Sequence, residues 1–483
     1  MGSLTGRIGL PIDKQGIQLT TAKAFPAKRF FVDMLVRDIE LKDAILDLLD
    51  NCVDGVMRST PTPANASAPY EGAWARITFD KDSFTIEDNC GGIPFELAEE
   101  SAFRLGRKDE DIDAELPTVG LYGIGMKRAI FKMGTSARVT SRRRDKSFFV
   151  DITPEWMSDD DSWSLDMMDT ESPEIEPFGT TIHVQNLRPG ISNSFSRVEF
   201  LNEFREDVRS YYSYIIEKGF KVIINDIEAD AKKIKLLLED RADSSGHSIA
   251  PYVYRRVGQA DGVDVYLSIG LYRSSPSEDE EDQELEGRAS SESAGWTIIC
   301  NDRVVLHADK SRLTGWGESG VPSYHTQFVA IAGVVVFKSN DPSKLPLTTT
   351  KRGVDASSEL YLQIKDFMRD GLKHFTNYTN RWKKRAVERK ARETATESAS
   401  YFLPEEVARS QALSFTTVRK SVGGELSRPA LPSPETFTDQ WIRFSKPKSE
   451  IETLSAVYFG TNDAKPSEVG EECFARAIKD LVK

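Results

Sequence analysis

Asp47 and Asn51, in "DLLDN", are a carboxylate and an amide four residues apart. On a helix that spacing puts both side chains on one face. The pair can orient a water and offer oxygen to Mg²⁺, which takes oxygen ligands. A solvated helix face reads the same way. A second carboxylate, Asp88, stands in "EDNCGGIP" (Glu87 to Pro94) ahead of a glycine turn. There it can accept a hydrogen bond from the edge of a base, with the backbone close beneath; a plain Asx turn has the same letters. "VGLYGIGMKRAIFK" (Val119 to Lys132) places Gly120, Gly123 and Gly125 before a helical run. Such glycines either arrange amides around a phosphate or form a hinge. The stretch is not a Walker A loop, since Met126 follows the last glycine, and its spacing is not the dinucleotide fingerprint. "PFGTTIHV" (Pro177 to Val184) sets Gly179 and Thr180 at a strand start, where an ordinary turn would look alike.

The elements that must position these groups follow from periodicity. Over Asp43 to Met57, the residues Ile45, Leu48, Leu49, Cys52, Val53 and Val56 repeat as one buried stripe of a helix. Asp43, Asp47, Asp50, Asn51 and Asp54 fall on its other face. Ala73 to Asp80 and Ser83 to Asp88 read as a β-hairpin, and Glu96 to Leu116 as a helix followed by a mobile loop. A second helix covers Met126 to Met133. "SARVTSRRR", "KSFFVDITP" and Gly179 to Leu187 read as strands. Helices and strands mix without βαβ alternation, which predicts an α+β layer sandwich.

Taken in order, "DLLDN", "DNCGG", "GLYGIG" and "GTTI" resemble the four motifs of the GHKL ATPases. That superfamily contains DNA gyrase B subunits, heat-shock-90-like chaperones, histidine kinases and MutL-type proteins. The resemblance covers roughly Phe30 to Leu187 and implies a Bergerat-type α/β sandwich that binds ATP and Mg²⁺. It implies Asn51 as the Mg²⁺ ligand, Asp88 as acceptor for the adenine amino group, and Gly92 beside Ile93 as the glycine that admits the base. Thr180 would support the adenine. The box Gly120, Leu121, Tyr122, Gly123, Ile124, Gly125, Met126 and Lys127 would wrap the phosphates, with Lys108 as a lid lysine. Lys127 reads equally as a helix-surface residue. The lid would span Glu99 to Pro117. The catalytic base of the family is usually Glu; here it is Asp47, one methylene shorter, which predicts slow hydrolysis. Cys90 replaces the first glycine of the adenine turn.

None of the five histidines (His183, His247, His307, His325 and His374) precedes the nucleotide motifs, which argues against a sensor kinase. The look is closest to microrchidia-like (MORC) and MutL-like ATPases, in which a transducer domain sends a cation to the γ-phosphate. "LPLTTTKRGVD" supplies Lys351 as that candidate, with Arg352 second, and a solvated lysine as the alternative. The expected organisation is an ATP-binding domain over 1–192 and a transducer-like α+β domain over 193–356 with a disordered acidic insertion at 274–294. A long charged helix over 357–398, a linker over 399–445 and a helical segment over 446–483 complete it. The helix carries seven basic residues between Arg381 and Arg392, Lys383, Lys384 and Arg385 among them, which suit either DNA or solvent.

The net charge of −13 argues against binding nucleic acid by overall charge, although "EDEEDQELE" alone supplies seven carboxylates. The four cysteines (Cys52, Cys90, Cys300 and Cys473) form no CxxC pair, so neither a zinc site nor a disulfide framework is expected. No apolar run approaches the roughly 20 residues of a membrane span, and the first residues lack the apolar core of a signal peptide. A cytoplasmic ATP-driven switch that dimerises on ATP and acts on DNA or a partner protein is the expectation. The alternatives are a non-hydrolysing nucleotide-sensing scaffold, such as a subunit of a bacterial defence or regulatory complex, and a heat-shock-90-like chaperone.

Overall fold

The computed structural model describes residues 27–104 and 124–275, with short gaps at 38, 61–67, 161, 173, 175–176, 233 and 240–245. It further describes 293–348, 351–385, 388, 389, 393, 413–434 (without 420 and 421) and 444–481. Helix α1 (Lys28–Arg37) leads into α2 (Leu41–Ser59), the expected amphipathic helix. Its apolar stripe is buried as the spacing requires, with Ile45, Leu48 and Leu49 almost wholly inaccessible. Asp47, Asp50 and Asp54 on the other face are buried as well, so α2 is covered on both sides.

The hairpin of β1 (Trp74–Phe79) and β2 (Phe84–Asp88) forms in the expected place, with Ala75, Ile77 and Phe79 facing inward. After α3 (Gly125–Met133) come β3 (Gly134–Arg142), β4 (Ser147–Ile152), β5 (Met167–Thr170) and β6 (Gly179–Leu187). They join one eight-stranded sheet of order β5-β4-β3-β6-β2-β1-β7-β8. Helices α2 and α3 bury Leu49, Val53, Ile130 and Met133 in the core of this sheet. The last two strands, β7 (Lys221–Ile224) and β8 (Ile227–Glu228), follow helix α4 (Val198–Tyr211), and β7 pairs parallel with β1. Phe204, Val208, Tyr212, Val222 and Ile224 lie in the same core, which runs on to Ala229. The boundary expected at residue 192 is therefore corrected: the free edge of β1 recruits a strand from beyond it, and α4 covers that strand.

The second sheet has seven strands, ordered β12-β11-β13-β10-β9-β15-β14. Its middle strands β10 (Asp264–Leu271), β11 (Gly295–Cys300) and β13 (Ile331–Lys338) are buried along nearly their whole length, as strands covered on both faces are. Helix α5 (Glu359–Arg381) covers one face through Ile364, Met368, Leu372 and Phe375. The helix expected over 357–398 thus ends at Arg381. Trp382 turns inward, donating its Nε1–H to the Pro432 carbonyl at 3.1 Å, and Arg389 and Glu393 are buried.

The expected linker is corrected in the same region. Within it, β14 (Thr416–Thr417) and β15 (Glu425–Ser427) extend the second sheet from β9 (Tyr252–Arg256), while Val422 and Leu431 enter its core. An open strand edge is a row of unpaired backbone groups, and this segment satisfies it. The acidic insertion lies outside the described residues except at its ends, where Ser275 is buried and its backbone N–H donates to Glu393 at 2.6 Å. Residues 434–483 are a separate unit holding α6 (Lys448–Phe459) and α7 (Pro466–Leu481). No helix among the described residues is long and apolar enough to cross a membrane.

Candidate functional site

Asp88 ends β2 with its side chain against α2, and it is 5 % exposed. Its Oδ1 accepts the backbone N–H of Cys90 at 2.8 Å and that of Thr180 at 3.1 Å. Burial raises its pKa above the usual carboxylate range, only partly offset by these two N–H donors and the Cys52 thiol. Thr180 can come this close because Gly179 precedes it: a Cβ there would lie 1.8 Å from the Asp88 carbonyl oxygen. Sequence proximity hides this contact, since 92 residues separate the partners.

Gly92 has φ +72, and a Cβ on it would come within 2.9 Å of the Arg142 carbonyl and the Ser141 hydroxyl. A local reason for glycine therefore lies in the protein itself, in the end of β3. Ser141 braces the turn further: its hydroxyl accepts the Ile93 N–H at 2.8 Å and donates to the Ile93 carbonyl at 2.9 Å. Beside this turn opens a cavity of about 960 Å³, bordered by Gly55, Arg58, Gly91, Gly92, Arg143 and Phe178. That volume is within the range of small-molecule sites.

Asp47 and Asn51 lie one turn apart around the middle of α2. Five residues from Cys52 back to Asp47 span about 7.5 Å of helix axis. Asn51 is half-buried, and its amide makes no hydrogen bond among the described residues. Asp47 Oδ2 pairs with Arg128 from α3, and its Oδ1 lies 3.6 Å from Lys351 Nζ. Lys351 reaches α2 from the second sheet's side of the molecule, at the tip of a loop closed by the Leu347–Val354 bridge. Its backbone is left-handed, φ +54, a conformation that costs a lysine on the order of 1 kcal/mol and persists only where the surroundings hold it. What holds it is Asp50, whose Oδ2 is 2.8 Å from Lys351 Nζ.

Asp50 also accepts Arg303 Nε at 2.8 Å on Oδ1, and Tyr212 donates its hydroxyl to the same oxygen. Burial alone would raise the Asp50 pKa, but Lys351 and Arg303 overcome it and hold the carboxyl down at about 2. Burial opposes the Lys351 charge, and Asp50, Asp47 and Asp54 reverse the balance, so its pKa is raised. Arg303 begins β12 (Arg303–Asp309). Its neighbour Asp302 binds Lys218 at 2.8 Å and Tyr70 at 3.0 Å. One hairpin tip from the second sheet thus engages the first domain with charges of both signs.

Arg352 is occupied elsewhere: it pairs with Asp43 and, at 3.2 Å, with Asp207, joining α2 to α4. Of the two readings of Lys127, the helix-surface alternative is ruled out: the residue is 4 % exposed and donates to the Ala102 carbonyl at 2.8 Å. Met126 packs its side chain in the core. Ile124 caps α3 without a side-chain bond, and the first amides of that helix have no intrahelical acceptor. Lys108, Gly120, Leu121, Tyr122 and Gly123 lie outside the described residues.

Residues 39–186 match the family described as histidine kinase-, DNA gyrase B- and HSP90-like ATPase. This segment is a GHKL-type ATPase domain. No curated protein matches the chain. The described candidate residues read from the four motifs (Asp47, Asn51, Asp88, Gly92, Ile93, Gly125 and Thr180) lie within the matched segment. Lys351 and Arg303, which grip α2, come from outside it. Mg²⁺ fits the chemistry present, since Asn51 is half-buried and offers an amide oxygen that makes no hydrogen bond among the described residues. An ion held by one side chain takes its remaining oxygens from nucleotide and water. The sequence reading missed Asp50, Arg303, Tyr212, Ser141 and Arg128. Only Asp50 left a trace, as the middle acid of the Asp47, Asp50, Asp54 series on one helix.

Proposed function

We propose that the protein is an ATP-driven conformational switch in which the GHKL-type domain binds ATP and reports its state to the second domain. Asp88 accepts the adenine amino group, with Thr180 and Gly92 around the base. Asn51 holds Mg²⁺, which would supply charge neutralisation at the phosphates. The amides at the start of α3 and of the glycine box bind those phosphates, and Lys351 senses the γ-phosphate. Asp47 polarises the attacking water, slowly, because its carboxylate is one methylene shorter than the Glu usual in the family. ATP closes the lid that the resemblance implies and favours a homodimer; hydrolysis reverses both. The output falls on DNA or on a partner protein, as in MORC-like or MutL-like proteins.

The observation that carries this reading is the contact of Lys351 with Asp47 and Asp50. It joins the helix that bears Asp47 and Asn51 to the second domain, beside the Arg303–Asp50 and Arg352–Asp43 pairs. The test is size measurement with and without a non-hydrolysable ATP analogue, beside a phosphate-release assay. A larger species with the analogue and slow phosphate release are expected; a species unchanged by the analogue, with no nucleotide bound, sinks the reading. One observation favours a second reading, that of a nucleotide-sensing scaffold: both Asp47 oxygens already face a cation. Dimerisation on ATP with no turnover would select it.

A further inference from the structure

Arg128 stands one turn into α3 and has no part in the site as read from the motifs. Its guanidinium pairs with Asp47 Oδ2, and its side chain is 12 % exposed. A guanidinium has five N–H donors, and the Nε of Arg128 is buried without a hydrogen-bond partner among the described residues. Helical side chains lean back toward the N-terminus of their helix, so this guanidinium lies over the first turn of α3. That turn is packed on Asp47: a Cβ at Gly125 would sit 3.3 Å from the Asp47 Cβ. A largely enclosed guanidinium with an unspent Nε donor, held against the carboxylate of Asp47, is matched to a phosphate, which an arginine can grip with two parallel bonds.

We propose that Arg128 is a phosphate-contacting residue selective for the terminal phosphate of a nucleoside triphosphate. Before the nucleotide arrives it holds Asp47 Oδ2; with the triphosphate bound it turns to the γ-phosphate and leaves that oxygen to a water. The exchange makes Asp47 available only when there is a phosphate to attack. It also gives the site a means of telling ATP from ADP within the first domain, independent of Lys351. This rests on the ATP-site reading above.

The test is calorimetric binding of ADP and of a non-hydrolysable ATP analogue to the full chain. In Arg128→Gln, affinity for the analogue falls tenfold or more while ADP stays within twofold, and Arg128→Lys recovers part of the loss. Because Arg128→Gln also leaves Asp47 unneutralised, Asp47→Asn and the double variant Asp47→Asn/Arg128→Gln are measured too. Neither retains an unpaired Asp47 charge, so a folding defect does not obscure the result. The double variant is expected to bind the analogue at least tenfold more weakly than Asp47→Asn. Equal affinity in those two chains overturns the proposal, since Arg128 then acts only by neutralising Asp47. So does an equal loss of ADP and analogue. If the unaltered chain binds both nucleotides and only these comparisons fail, the ATP-site reading stands; if it binds neither, both fall.

Discussion

Asp88 and Asp50 are both buried carboxylates of the first domain, 5 % and 1 % exposed, and the protein treats them in opposite ways. Asp88 is met by two backbone N–H groups and a thiol, with Arg58 acting on it only weakly through its charge, and burial raises its pKa. Asp50 is met by a lysine, an arginine and a tyrosine, and its pKa is held at about 2. A carboxylate left short of partners is in a state that a ligand's N–H can improve. One saturated by cations is finished as a binding group and serves as an anchor. The difference separates a recognition end, where the base would sit, from a mechanical end, where two chain segments from outside the ATPase domain fasten onto α2.

The contrast is most exposed at Asp50. Asp50→Ala strands Arg303 and Lys351 in the interior, and losing one partner of a buried pair costs about 3–5 kcal/mol. A denaturant midpoint lowered to that extent is expected, with partial recovery on adding Lys351→Ala. A loss below 1 kcal/mol would mean that the cluster is not an anchor. At the other end, Asp88→Ala is expected to weaken ATP and ADP binding at least a hundredfold, or about 2.7 kcal/mol, with the unfolding midpoint little changed. Retained binding would remove Asp88 from the site.

A smaller effect lies in the pH dependence. Asp50 is depressed in the fold, so its contribution of about 2 kcal/mol is present above its unfolded pKa and is lost as pH falls from about 4 toward 2. Acid unfolding of Asp50→Asn should lack that component over the same window. Asp88 has the opposite sign: raised in the fold, it favours the folded state where it is protonated and costs stability as pH rises through its folded pKa. Asp88→Asn keeps an acceptor for Cys90 and Thr180 and removes the buried charge. A gain on the order of 1 kcal/mol near pH 7, seen as a higher Tm, is expected alongside weakened nucleotide binding. An unchanged or lowered Tm would show that Asp88 is stabilised by more than the groups around it here.

Local pattern made much of this legible. The period of α2, the β1–β2 hairpin, the glycine-led start of α3 and the four motifs all depend on neighbours in sequence, and the described parts form where the residues put them. Periodicity put Asp47, Asp50 and Asp54 on one face and left open what covers it; all three are buried. A helix wheel shows which residues share a face but not what will cover it. The partners of Asp50 stand 162, 253 and 301 residues away, in Tyr212, Arg303 and Lys351.

The same limit moved the first domain's boundary. Lys221–Ile224 reads as a strand from its own residues, yet which sheet it joins depends on the open edge of β1. The stretch around Glu425–Ser427 has the composition of a linker and becomes a strand because β9 has an edge to fill.

The sequence by itself determined that a GHKL-type domain is present here, because the motifs that mark it are few, ordered and placed by local turns and helix starts. Only the tertiary structure decided which carboxylate meets cations and which meets backbone N–H groups. That property belongs to the charges and backbone groups brought around each acid, and a chain of charged residues does not state its pairings until it has folded.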